Sequence, residues 1–193
     1  SELSLALDVM LPGDVMARVF RRFEHTFPTV PLRLHVEALG AVAGLVLDGR
    51  AMLAIAGPDI VDHPALERQV TGFVPMIPVA APSHPLALMG KPPPGEARRH
   101  RQLVLTDRSA LTEGKDFSVL SANTWRLGDL GAKHVLLREG IGWGHMPLHA
   151  VRGDLESGGL VRLNLPESRG MDYALHALWR KDATLGHAAR WAR

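Results

Sequence analysis

The sequence contains no cysteine, which excludes disulfide stapling, thiolate metal ligation and thiol catalysis. No apolar run approaches the ~18 residues that a membrane span requires. The opening Ser-Glu-Leu-Ser-Leu-Ala-Leu lacks the basic start and long apolar stretch of a secretion signal. Both absences favour a cytoplasmic protein, or one trimmed of a leader. Charge of one sign is missing too: 22 basic and 20 acidic residues leave a net charge of only +2. Specific nucleic-acid binding needs a clustered basic face, and none is visible. The densest basic patch, Arg98-Arg99-His100-Arg101, follows a proline run and reads as a solvated connector. No internal repeat is found. What remains is a chain of 193 residues, 46% of them hydrophobic, enough for one globular unit or two small lobes.

Hydrophobic periodicity orders the first half as strand–helix–strand–helix–strand. Leu3, Leu5 and Leu7 alternate with smaller residues and read as a strand. Pro12-Gly13-Asp14 opens a helix that Pro28 stops. Its Val15, Val19 and Phe23 are expected to face a sheet, with Met16, Phe20 and Phe27 widening the apolar surface. Leu32, Leu34 and Val36 alternate in a second strand, and a short helix with Val42, Leu45 and Val46 ends at Asp48-Gly49. Met52 to Ala56 is a third strand. Such alternation implies right-handed crossovers and a parallel sheet covered by helices. Phe73 to Ala81 reads as extended, and Pro75 and Pro78 argue for an edge or irregular strand.

Composition changes at Pro82-Ser83-His84-Pro85 and at Lys91-Pro92-Pro93-Pro94-Gly95, and the strand–helix pattern then restarts. Strands are expected at Leu103–Thr106, Thr124–Leu127, Ile141–Gly144, Leu160–Leu165 and Tyr173–Trp179. Helices are expected from Asp129 to Glu139, with Leu130, His134 and Leu137 on one stripe, from Pro147 to Ser157, and from Leu185 to Arg193. The expected architecture is two α/β lobes with a seam near residue 83.

Catalytic and cofactor motifs fail on context. Gly140-Ile141-Gly142-Trp143-Gly144 follows a helix and runs through a strand, so it lacks the strand–turn–helix setting of a dinucleotide fingerprint and reads as close backbone packing. Gly114-Lys115-Asp116 lacks the remainder of a phosphate loop. His145 and His149 stand four apart without a third metal ligand, so no metal is expected. His84 has no nucleophile motif beside it, and Ser109, Asp107 and His100 lack the strand–Ser–helix context of a hydrolase. No cofactor and no catalytic residue is expected. One feature suits a ligand: Leu127-Gly128-Asp129 starts a helix whose N–H groups would seat an anion, with an ordinary aspartate cap as the alternative. Val9, Met10 and Leu11 after the first strand, and Leu39, Gly40 and Ala41 at the second helix start, are matching positions.

The whole chain resembles the regulatory domain of LysR-type transcription regulators. Leu11-Pro12 with Arg22-Phe23 and Phe27-Pro28 matches the family's "F…yP" opening, and Leu47-Asp48-Gly49-Arg50 its "l-x-x-G" turn. Val79 through Leu86, with His84-Pro85-Leu86, is similar to the crossover segment. Arg101 through Leu105 resembles the strand that opens the second lobe. Leu137 through Pro147 is similar to "v-x-x-G-x-G-i-x-x-lP", and Gly158 through Leu163 to "G-x-L-v-x-l". Met52 departs from the family's usual aspartate.

The resemblance implies a type II periplasmic-binding-protein-like α/β fold, with two Rossmann-like lobes joined by a two-crossover hinge. Lobe I would be residues 1–82 plus 167–193 and lobe II residues 83–166, with the winged helix-turn-helix absent. It implies a small-molecule effector, often an organic or aromatic acid, held by Met10, Leu11, Leu39, Gly40, Ser83, Asp107, Gly128, His145 and Met146. Promoter DNA would be met only through the missing domain, RNA polymerase only by the full-length protein, and no membrane would be bound. A homodimer is implied, pairing the first helix with Asp129–Glu139 of a neighbour, and a tetramer at full length. A transporter's solute-binding protein is the alternative on the same fold.

Overall fold

The computed structural model describes residues 2–58, 62–107 and 118–193. Ser109 and Gly114-Lys115-Asp116 lie outside the described residues. The described residues pack as two compact units: 2–58, 62–73, 107 and 174–193 belong to one, and 74–106 and 118–173 to the other.

In the first unit, β1 (Leu3–Asp8) pairs in parallel with both β2 (Leu32–Glu37) and β3 (Leu53–Ala56). The crossovers are α1 (Gly13–Thr26) and α2 (Gly40–Leu47). Strand alternation sorts the core onto two faces. Ala6 and Ala54 meet Val42, Ala43 and Val46 of α2. Leu3, Leu5 and Leu53 meet Phe23 of α1 and the closing helix α6 (His187–Ala192). The buried stripe of α1 differs from the expected one. Val19 is 42% exposed, while Phe20, Phe23 and Phe27 turn inward. The reason is aromatic packing: Trp191 lies edge-on to Phe23 and Phe27 at 5.7 and 5.8 Å between centroids, contacts worth ~0.5–1.5 kcal/mol each beyond area burial.

In the second unit, β5 (Gln102–Leu105) pairs in parallel with β6 (Thr124–Leu127) and β7 (Trp143–Pro147). One face carries α4 (Leu130–Arg138) and α5 (Leu148–Ser157) over Leu103, Leu137, Met146 and Val151. The other buries Trp143 with Leu86 of α3 (Pro85–Leu88), Ala97 of the 3-10 helix Glu96–Arg99, and Leu163 and Leu165. Part of the basic patch belongs to this helix, and Arg101 stacks 4.1 Å over the Trp125 ring. Strand β7 begins later than expected, and the expected strand at 160–165 shrinks to β8 (Val161–Arg162).

Two long strands belong to both units. β4 (Leu66–Ala80) runs antiparallel to β7 and to β8, and β9 (Met171–Arg180) runs antiparallel to β3. The hydrogen-bond order is β2-β1-β3-β9-β4-β7-β5-β6, with β8 also on β4. All nine strands are therefore linked, and the division is one of packing rather than of the ladder. It falls within β4 after residue 73 and within β9 after residue 173, not at the proline turn near residue 83. β4 is also an interior strand, although its prolines pointed to an edge. Pro78 lacks an N–H, but its carbonyl still accepts from the Leu163 N–H at 2.8 Å. Gly72 and Pro75 flank the division in β4, but the strand runs through both, so composition does not mark a break there.

Candidate functional site

In each unit the parallel strands end together, and ligands of open α/β sheets bind beyond such carboxyl ends. In the first unit, β1 ends at Asp8, Met10 and Leu11 follow it, and α2 begins at Gly40 with Leu39 as its cap. Asp8 is buried and its Oδ1 accepts from the Met10 N–H at 2.8 Å, which fixes the turn. Leu39 has φ +49° and ψ −130°, a region that a branched side chain rarely adopts. Such strain costs about 1–3 kcal/mol and persists only where the surroundings over-determine it. Here the buried side chain is the restraint. The helix start is occupied: Asp107 Oδ2 accepts from the Ala41 N–H at 2.8 Å.

In the second unit, β5, β6 and β7 end at Leu105, Leu127 and Pro147, with Thr106 and Gly128 next in the chain after the first two. The start of α4 is capped by its own aspartate, whose Oδ2 accepts from the Ala132 N–H at 2.8 Å. Both helix starts that the sequence offered to an anion thus already hold a carboxylate of the chain. Met146 is fully buried in the core beneath α4 and α5, so it supports the site rather than presenting a surface. His145 points to the opposite face of β7, edge-on to Trp143, with Nε2 2.8 Å from Ser168 Oγ. Ser83 is not brought to these residues. β4 runs antiparallel to β7, with Met76 opposite Pro147 and Ala80 opposite Trp143. Ser83 therefore lies at the other end of the strands, where its Oγ is 3.6 Å from the position a Cβ on Gly140 would take.

The sequence reading missed Lys133. It lies between Leu130, His134 and Leu137 on α4 and is only 4% exposed. Its Nζ donates to the His145 carbonyl oxygen at 2.6 Å. Gly144 makes room for it: a Cβ there would stand 3.1 Å from Lys133 Cε, and 2.7 Å from Leu103 O. A lysine inside an apolar stripe is read from sequence as a solvent-facing residue; the one signal was the glycine opposite.

Burial lowers the Lys133 pKa to about 8. Burial, and then the charge of Lys133, lowers that of His145 to about 4. His84, lowered to about 4 by burial and then by His100, caps α3 by accepting from the Leu86 N–H at Nδ1. A histidine at about 4 is a weak general base at neutral pH, which counts against His145 and Ser168 as a catalytic pair. Among the described residues no group of three or more His, Asp or Glu could hold a metal ion.

These histidines set an acid-stability prediction. Both are neutral in the folded chain, whereas in the unfolded chain they take up protons near pH 6.5. Stability is therefore expected to fall as pH drops from about 6.5 to about 4, then to level off for these two groups. Asp154, held low by Arg138 with burial opposing and His134 assisting, acts separately: its contribution is lost only as pH falls through its own depressed value. Urea midpoints between pH 7 and 4 check this. His145→Gln should flatten the decline by ~1–3 kcal/mol; an unchanged slope would count against a neutral buried His145.

The LysR substrate binding domain family matches residues 1–193, the whole chain. No curated protein matches in sequence. Among solved structures, the effector-binding domain of QuiR in complex with shikimate superposes with a TM-score of 0.79 at 15% identity, covering 100% of this chain and 93% of that one. The regulatory domain of CcmR from Synechocystis PCC6803, in complex with 2-PG, gives 0.76 at 16%, covering 98% and 92%. That of MetR from N. meningitidis gives 0.73 at 20%, covering 100% and 91%. At these identities the likeness is one of fold.

Proposed function

Since the chain belongs to the LysR substrate-binding-domain family, we propose that it is the effector-binding domain of a transcription regulator, and that occupancy by a small organic acid controls DNA binding by the full-length protein. The observation that carries this reading is the family match over all 193 residues. It favours a regulator over a transporter's solute-binding protein. The role is non-catalytic, in keeping with the weak basicity of His145. Cytoplasmic residence and contact with RNA polymerase follow from the regulator's task, and among the described residues no helix is long and apolar enough to cross a membrane. The surfaces we assign to the effector are the strand carboxyl ends with Met10, Leu11, Leu39 and Gly40 in the first unit and Gly128 in the second. A thermal-shift screen of small acids and their amides tests the assignment. A ligand at 100 times its Kd should stabilise the chain by about 2.7 kcal/mol. A screen in which neither acids nor amides raise the melting temperature would remove the effector reading.

We also propose that the domain forms a two-fold dimer. Edge strand β2 leaves Leu32, Leu34 and Val36 exposed beside Val19 of α1, and edge strand β6 and α4 expose Trp125 and Val135. Pairing the first set with the second set of a neighbour makes the same contact twice, and a stable dimer of this kind buries more than ~1,000 Å². Sedimentation at micromolar concentration should show a dimer, which Val36→Lys disrupts; a monomer for the unmodified chain refutes the pairing.

A further inference from the structure

The ammonium of Lys133 has one hydrogen bond, to His145 O, and no carboxylate among the described residues pairs with it. An ammonium has three donors, and removing it from water without a counter-charge costs several kcal/mol. The neighbouring groups cannot compensate. His145 is neutral and its Nε2 is engaged with Ser168. The Asp129 carboxylate, at the start of the same helix, accepts from the Ala132 N–H and forms no ion pair with Lys133. Gly144 is the only residue of β7 without a side chain, and the stem of Lys133 occupies that space. The arrangement keeps a positive charge in the first turns of α4, just inside the carboxyl ends of β5, β6 and β7.

We propose that Lys133 is the anion anchor of the second unit: its ammonium pairs with a carboxylate or phosphate oxyanion of the effector. The inference rests on the effector-binding reading and adds to it the residue that meets the ligand's acidic group. Rotation about the four-carbon stem re-aims the ammonium from the His145 carbonyl toward the strand ends while the methylenes stay packed on Gly144. The anion then receives a full charge beside a helix start, that of α4, which is already capped.

The chain has four lysines, Lys91, Lys115, Lys133 and Lys181, so its ε-carbon NMR signals are separable. Lys133 is recognisable by its titration near pH 8. Benzoate and inorganic phosphate are titrated in turn, with benzamide as the neutral mate of benzoate. The expected result is that benzoate, phosphate or both shift the Lys133 signal and move its titration to higher pH, whereas benzamide does neither. The two acids distinguish a carboxylate from a phosphate. Lys133→Met should weaken the responding acid at least tenfold. A Lys133 signal unmoved by either acid overturns the proposal, even where Lys133→Met fails to fold, because that readout uses the unmodified chain. Acids that bind Lys133→Met within twofold of the original overturn the anchor alone and leave the effector reading intact. Failure of all acids and amides in the thermal screen removes both.

Discussion

Gly142→Ala is expected to abolish cooperative folding or to cost at least ~3–5 kcal/mol, among the largest effects of any single methyl addition in the chain. Gly142 has φ +76°, and a Cβ built on it would stand 2.6 Å from the carbonyl oxygen of Arg101. That oxygen accepts the Trp143 N–H at 3.0 Å at the start of the β5–β7 pairing, so it cannot move aside without opening the ladder. Two costs therefore add: left-handed backbone strain of ~1–3 kcal/mol, and a backbone–backbone clash. Gly158→Ala separates them. Gly158 has φ +84° at the end of α5 but nothing within 4 Å of its Cβ position, so it carries the strain alone. Urea denaturation of both variants should show Gly142→Ala losing several times as much as Gly158→Ala. Equal losses would mean that β7 can move away from β5.

Trp143→Ala comes next, with an expected loss of ~3–5 kcal/mol. The indole is fully buried among Ala80, Leu86, Ala97, Leu163 and Leu165, and its Nε1 donates to Ala97 O at 3.2 Å. Truncation leaves a cavity bordered by backbone, in an interior too tightly packed to collapse completely. Trp143→Phe keeps much of the volume and removes one of two donors to the Ala97 carbonyl, which still accepts from the His100 N–H at 3.3 Å, for an expected loss of ~0.5–1.5 kcal/mol. Guanidinium midpoints resolve the two. A Phe variant as damaged as the Ala variant would assign most of the energy to the hydrogen bond rather than to packing.

What the sequence disclosed depended on how each element is stabilised. β1, α1, β2, α2 and β3 were all legible from hydrophobic periods and turn signals, although β2 leaves its alternating Leu32, Leu34 and Val36 exposed. The glycines at 142 and 144 were legible as backbone-packing residues, and their Cβ positions do meet carbonyls of Arg101 and Leu103. The first part of β4 was not legible, since its largely exposed run from Glu67 to Gly72 carries no alternation. Val19 misled because i, i+4 spacing fits more than one helix face, and the position of Trp191 decides which face is buried. The sequence placed strand ends and helix starts at Met10, Leu39, Gly40 and Gly128 and offered the Asp129 cap as an alternative to an anion, whereas the occupation of the α2 start by Asp107, 66 residues away, depends on tertiary position. Ser83 was misplaced because strand direction is not written in the turn: β4 enters that turn running against β5 and β7.

The return of β9 into the first unit has a consequence for synthesis. Residues 174–193 give that unit Leu178, Leu185 and Ala189, all buried in its two core clusters. At roughly 5–20 residues per second they leave the ribosome many seconds after α1. Until they arrive, Phe23 and Phe27 have no Trp191 to pack against, and β3 lacks its antiparallel neighbour. The unit that begins first is thus completed last, and its nascent half emerges as a sheet with an open edge beside a helix whose aromatic face is uncovered. Chaperone capture, aggregation and the damage done by C-terminal truncation should all concentrate on that interval.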